Sequence, residues 1–189
     1  MQQLDDGSGE SGGKKSFPNR DGEVSRQQDQ QLLPRKTPPP RSGFRVPLVT
    51  DADFPPPNQS GPPVCVDADG VSPVFIGSAM LYDDCVHPCK IIPSVHPPCR
   101  VPYGDNEVEH HGKYNLLPIT PDMEWVPTKN GQIPRGRRPV EGGYEANGEK
   151  LFHAIGNING IDVPGKTGRH LVSRSLTSAH LAFPRDLWD

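Results

Sequence analysis

Two lysines end related strings in this chain: His87-Pro88-Cys89-Lys90 and Val163-Pro164-Gly165-Lys166, with the lysines 76 positions apart. Each string follows a short apolar run, Val74-Phe75-Ile76-Gly77 or Leu151-Phe152-His153-Ala154-Ile155-Gly156. A lysine ammonium offers hydrogen-bond donors and no acceptor, and the flanking Pro and Gly predict a tight turn around it. A unit recurring at a fixed spacing predicts one supersecondary module used twice. A second group, Cys65, Cys85, Cys89 and Cys99 with His87 and His96, has the residue types that hold Zn²⁺. Its spacings do not make two paired knuckles, so these cysteines read as reduced, partly buried thiols, with no metal or other cofactor expected. His110-His111, beside Glu107 and Glu109, reads as an exposed loop. There is no Gly-x-Ser-x-Gly elbow, phosphate-binding glycine loop or HExxH helix, so a non-catalytic protein is expected.

The elements that must carry these residues are short. Of 189 residues only 32% are hydrophobic, while 24 are proline and 20 are glycine, a balance that leaves room for one modest core. The formal charge of −3 gives no reason to expect a nucleic-acid or anionic-membrane binder, and no run is long enough to span a bilayer. The first residues lack the basic and apolar regions of a secretory signal, so the expectation is a soluble cytoplasmic protein, with any export by an unconventional route. Residues 1–60 hold three Phe and no Trp or Tyr among Gln, Asp, Gly, Ser, Lys and Pro. They read as a disordered tail, with Leu33–Arg41 favouring polyproline II as a linker. From Pro63 onward, short runs of Val, Ile, Phe, Leu and Tyr alternate with Gly, Pro, Asn and Asp clusters, and four- to five-residue runs bounded by breakers predict strands at Val74–Gly77, Cys89–Ile92, Arg100–Tyr103, Tyr114–Leu117, Glu124–Pro127 and Leu151–Ile155. Ser175–Phe183 is the one stretch that could form a helix, and it lacks a periodic apolar face. The fold class is therefore all-β, a sandwich or barrel.

Residues 63–171 resemble the DM9-repeat (DUF3421) family. The strings that carry the resemblance are Pro73-Val74-Phe75-Ile76-Gly77, His87-Pro88-Cys89-Lys90-Ile91, Val101-Pro102-Tyr103-Gly104 followed by Glu107, and Tyr114-Asn115-Leu116-Leu117. They continue with Glu124-Trp125-Val126-Pro127, Gly131-Gln132-Ile133-Pro134, Pro139-Val140-Glu141-Gly142-Gly143-Tyr144-Glu145 and Val163-Pro164-Gly165-Lys166-Thr167-Gly168. The specificity lies in their order and spacing. The resemblance implies tandem repeats packed as a pseudo-symmetric, sandwich-like β module over residues 61–189: repeat one at 63–120, an incomplete repeat two at 121–171 and a divergent end at 172–189. After Gly168-Arg169-His170-Leu171 the chain departs from the family pattern, which implies that the second repeat lacks its last strands.

The family resemblance also implies a mannose-type lectin. Its acidic residue and turn lysine fall on Glu145 and Lys166, 21 residues apart. A carboxylate supplies acceptors and an ammonium supplies donors, so the pair can grip a vicinal diol through charge-assisted hydrogen bonds. The family usually has Asp where Glu145 stands, and the extra methylene moves the carboxylate by about 1.5 Å. In the first repeat the lysine is Lys90. Its partner is Asp69 if the repeats align without a gap, or Asp67 if Asp67-Ala68-Asp69-Gly70 matches Glu145-Ala146-Asn147-Gly148. Tyr144 is expected in the core rather than stacked on a sugar. The implied partners are mannose-like glycans, with two sites in one chain or a homo-oligomer for avidity. The alternative is a non-catalytic interaction protein working through its proline-rich tail or β module.

Overall fold

The computed structural model describes residues 40–82, 84–104, 106–128, 132–171 and 178–185. The expectation of a disordered tail lies outside them as far as residue 39. Its boundary at 60 is corrected, because Val46–Val49 forms strand β1, which pairs with Lys113–Leu116 (β7). Val46 and Leu48 face the core while Pro47 and Val49 stay exposed, and this alternation is what an edge strand needs.

The remaining strands are β2 (Cys65–Val66), β3 (Pro73–Met80), β4 (Val86–Ile91), β5 (Cys99–Tyr103), β6 (Asn106–His110), β8 (Glu124–Thr128), β9 (Arg138–Pro139), β10 (Glu141–Tyr144), β11 (Lys150–Ile158), β12 (Ile161–Thr167) and β13 (Ser178–Phe183). Among the described residues, helix is confined to one turn, α1 (Pro57–Ser60). The fold is all-β, and its strands join in one antiparallel sheet with the path β1-β7-β3-β4-β10-β11-β13-β8. From this path branch β2 on β3, β5 and then β6 on β4, β12 on β11, and β9 on β13.

Strand β3 shows why the sheet has two cores. Its run Val74-Phe75-Ile76-Gly77-Ser78-Ala79 is buried on both faces. Phe75 and Ala79 point into one cluster with Cys89, Ile91, Cys99, Val101, Tyr114 and Leu116. Ile76 points the other way, into a cluster with Leu117, Met123, Val140, Leu181 and Phe183. A strand covered on both sides loses the apolar–polar alternation of a half-exposed one.

The C-terminal segment departs from expectation. Ser178–Phe183 is a strand, not a helix, and it lies between β11 and β8. Six residues are too few for a stable isolated helix, whereas period-two placement sends Leu181 and Phe183 into the second core. The divergent end thus supplies a central strand to this part of the sheet. His110, expected in an exposed loop, is buried at the end of β6, with Nε2 3.0 Å from the Lys113 carbonyl.

Strand β10 joins β4 through the single pair Tyr144–Val86. Gly143 makes this approach possible. Its φ is +148°, and a Cβ there would sit 1.8 Å from the Val86 carbonyl oxygen. Arg45 ties the same joint from inside. It donates to the Glu141 carbonyl at 2.8 Å, to Ser78 Oγ at 3.1 Å and to His153 Nε2 at 3.1 Å. Ser78 Oγ in turn donates to the Gly142 carbonyl at 2.6 Å. Burial lowers the Arg45 pKa to about 10, so the guanidinium stays charged at neutral pH. Burial, then the Arg45 charge, holds His153 well below the usual histidine range, and its neutral Nε2 accepts.

Candidate functional site

Neither lysine sits in a turn. Lys90 lies in β4 opposite Ile76, and Lys166 lies in β12 opposite His153, each in the return strand of an antiparallel hairpin. The two prolines are tolerated for different reasons. β12 pairs only with β11, so Pro164 can turn its missing N–H toward an unpaired edge. Pro88 pairs with Ser78 on one side, while on the other the neighbour changes from β10 at Val86 to β5 at Lys90. A residue that cannot donate marks that gap without ending the strand.

Glu145 follows β10 directly and is fixed by the β10–β11 turn. Its N–H donates to the Glu149 carbonyl at 2.9 Å, and its carbonyl accepts from Gly148 at 2.8 Å. Asn147 Oδ1 accepts from the Glu149 N–H at 3.0 Å. The same device recurs at Asp67-Ala68-Asp69-Gly70. Asp67 N–H donates to Ser72, Gly70 donates back to Asp67, and Asp69 Oδ1 caps the N–H groups of Val71 and Ser72 at 2.9 and 2.8 Å. Asp69 therefore plays the part of Asn147, a turn cap, and Asp67 plays the part of Glu145. Hydrogen bonds to Ser72, from its side chain and then its backbone, hold the exposed Asp69 carboxyl below its usual range. The ungapped choice of Asp69 as partner of Lys90 is corrected to Asp67.

The two lysines meet different surroundings. Lys90 Nζ lies 3.3 Å from Asp67 Oδ1 and 2.8 Å from Glu107 Oε1, with only 8% of its side chain exposed. Lys166 Nζ lies 3.2 Å from Glu145 Oε1, with 17% and 24% of the two side chains exposed. Lys166 also lies 3.1 Å from His87 Nδ1 and 5.7 Å from the centre of the Tyr103 ring. An ammonium can only donate, so His87 Nδ1 accepts and the ring proton sits on Nε2. That Nε2 is 2.9 Å from Glu145 Oε2, off the axis of a good hydrogen bond. Burial first, and the Lys166 charge second, keep the His87 pKa below its usual value. Burial pushes the Glu145 carboxyl up, but His87 and Lys166 outweigh it and the net shift is downward. His170 closes the group, with Nε2 3.7 Å from Glu145 Oε1.

Glu145 also lines a cleft of about 380 Å³ whose walls include Tyr82, Tyr103, Val108 and His111. Tyr144 is half exposed rather than in the core. Of the aromatic residues, it is Tyr103 that lies over Lys166. The sequence did not single out His87, Tyr103 or His170 for this site. His87 opens the first lysine string, yet it contacts the lysine of the second, and only the packing of β4 against β12 produces that contact.

The four cysteines are free thiols, with Cys85, Cys89 and Cys99 buried. Burial, then neighbouring Cys99, pushes the Cys89 thiol well above its usual value. His87 and His96 do not gather with them. His87 joins Glu145 and Lys166, while His96 is exposed and 3.9 Å from Asp51. Among the described residues, no group of three or more His, Cys, Asp and Glu side chains is placed to hold a metal ion. Among the same residues, no helix is long and apolar enough to cross a membrane.

No curated protein matches the chain. The family model described as DM9 repeat matches residues 67–177, which include both lysine hairpins and all but the first and last of the elements that hold the two cores. With more than half of its length matched, the chain belongs to the DM9 repeat family.

Proposed function

We propose that Glu145 and Lys166 form a mannose-type sugar site that works without metal and without catalysis. DM9 repeats are associated with carbohydrate binding. The observation that carries the reading is the part-exposed Glu145–Lys166 pair at 3.2 Å, beside an open cleft. Two adjacent sugar hydroxyls can donate to the carboxylate and accept from the ammonium, replacing water that both groups hold in the free protein. His87 and His170 orient the carboxylate from two sides, and the Tyr103 ring gives the sugar an apolar surface. Glycoside hydrolysis needs a pair of carboxyl groups flanking the scissile bond, whereas Glu145 is engaged by a lysine and two histidines. Lys90 does not offer an equivalent site, because two carboxylates already surround its buried ammonium.

Calorimetry with mannose in EDTA tests this. Lys166→Ala and Glu145→Gln are each expected to weaken binding by about ten- to a hundredfold, the cost of one charge-assisted hydrogen bond. Absence of mannose binding by the unaltered chain, or an unchanged affinity in both variants, overturns the reading.

A further inference from the structure

A second cleft, of about 480 Å³, is lined in part by His170. Arg41, Arg137, Arg138, Lys150 and Arg169 line it, against two carboxylates, Glu141 and Glu149. This is a cationic excess on a chain whose formal charge is −3. The two carboxylates offset only part of it, because five cations line the cleft. Glu141 is taken by Lys150 at 2.6 Å and approached by Arg41 at 3.9 Å, while Glu149 faces His170 at 3.6 Å and accepts from Asn147 at 2.9 Å. Arg137 pairs with Glu124, which does not line the cleft. Arg169 is exposed and makes no ion pair among the described residues.

The cations are held in place. The Arg41 carbonyl accepts from the Glu141 N–H at 3.0 Å, which anchors that residue to β10. Arg138 sits in β9 with its guanidinium 5.2 Å from the centre of the Phe183 ring. Burial and then repulsion from Arg41 lower the Arg138 pKa, with Glu141 acting in the opposite direction, so Arg138 feels the charges of both Arg41 and Glu141 across the cleft. Phe152, Ile133 and Pro139 supply an apolar part of the lining.

We infer that this cleft binds a phosphate or sulfate group carried on a small molecule. Several guanidinium forks around one space suit a tetrahedral oxyanion with multiple acceptor oxygens better than a single lysine would. The volume is that of a small-ligand pocket, and the apolar lining suits the carrier of the anion rather than the anion itself. The inference does not depend on the sugar site, although His170, which lines this cleft, lies 3.7 Å from Glu145.

Calorimetry on the full chain at low ionic strength tests it, with inorganic phosphate, inorganic sulfate, a sugar phosphate and a sugar sulfate as separate titrants. Each is expected to bind, with affinity falling as salt is added. Arg169→Ala and Arg137→Ala should each weaken binding about tenfold, with Arg169→Lys closer to the unaltered chain. Lys113→Ala, an exposed charge on β7, should leave it unchanged. Esters binding more tightly than the inorganic ions would show the apolar lining in use. The proposal is overturned if no titrant binds at low salt. It is also overturned if Lys113→Ala weakens binding as much as Arg169→Ala, because general charge then explains the result, or if the inorganic ions bind and neither ester does. Thermal melts of each variant keep a folding defect separate from a binding defect.

Discussion

Lys90 and Lys166 leave the return strands of two hairpins, and each meets an acidic residue that opens an Asx-capped turn. Beyond that they diverge. Lys90 finds both of its carboxylates within residues 67–107 and is nearly closed off from solvent. Lys166 gathers partners from β4, from the loops after β10 and β12, and from the Tyr103 ring of β5, with one carboxylate for one ammonium and an open mouth. An ammonium saturated by two carboxylates is a structural tie. One that shares a single carboxylate with solvent keeps the capacity to bind. The difference shows that a recurring sequence string can fix a local geometry and leave its use to the neighbours.

The largest expected effect comes from breaking the joint on which only the Lys166 group depends. Gly143→Ala puts a methyl group against the Val86 carbonyl at a backbone angle that L-residues avoid. It should cost about 3 kcal/mol by urea denaturation and abolish mannose binding, since Glu145 lies two residues further along. A variant that keeps full stability and full binding would show that the joint does not position the site.

The next effect sharpens the contrast between the lysines themselves. Lys90→Ala should lower stability by about 1–3 kcal/mol while leaving mannose affinity unchanged. Lys166→Ala should cost at most about 1 kcal/mol of stability, as expected of a part-exposed pair. Equal stability losses in the two variants would erase the distinction between tie and site.

The smallest effect separates them by pH. His87, His153 and His180 are buried, and burial is the first cause of the lowered pKa of each. A base whose folded pKa lies below its unfolded value leaves the unfolded chain binding more protons. Stability is therefore lost as pH falls below about 6.5, by up to about 1.4 kcal/mol per pH unit for each histidine kept neutral. Below its own lowered folded pKa, His87 protonates and loses the acceptor for Lys166, so the Lys166 group should loosen at the acid end of the range while the Lys90 group, which has no histidine partner, holds. Urea midpoints from pH 7.5 to 5 should show the slope, and His87→Gln should reduce it. A flat profile would mean that these rings protonate freely in the folded state.

Much of the fold was legible in the sequence. All six expected strands fall within or overlap observed ones, because short runs rich in β-branched, aromatic and other apolar residues between breakers have few other ways to be buried. The boundary at 60 failed, and the strand at Ser178–Phe183 was missed, for one reason. Val46-Pro47-Leu48-Val49 and Ser178–Phe183 carry too little local signal, and each becomes a strand only by pairing with β7 or with β8 and β11. Asp67 against Asp69 was a choice between two alignments, and the hydrogen bonds of the turn decided it.

The sequence by itself determined the all-β class and the recurrence of the two lysine strings, which rest on residue type at short or fixed spacing, and its resemblance to the family pointed to Glu145 and Lys166. Only the tertiary structure decided that His87 from the first string meets Lys166 from the second, that Lys90 is sealed by Glu107, and that five cations from distant segments line one cleft. His87 and Lys166 are 79 positions apart, Lys90 and Glu107 are 17 apart, and the cleft's cations come from segments between positions 41 and 169, a range at which backbone propensity carries no information. Strand pairing and the burial of two shared cores bring them together, and the charges then settle where those contacts leave them.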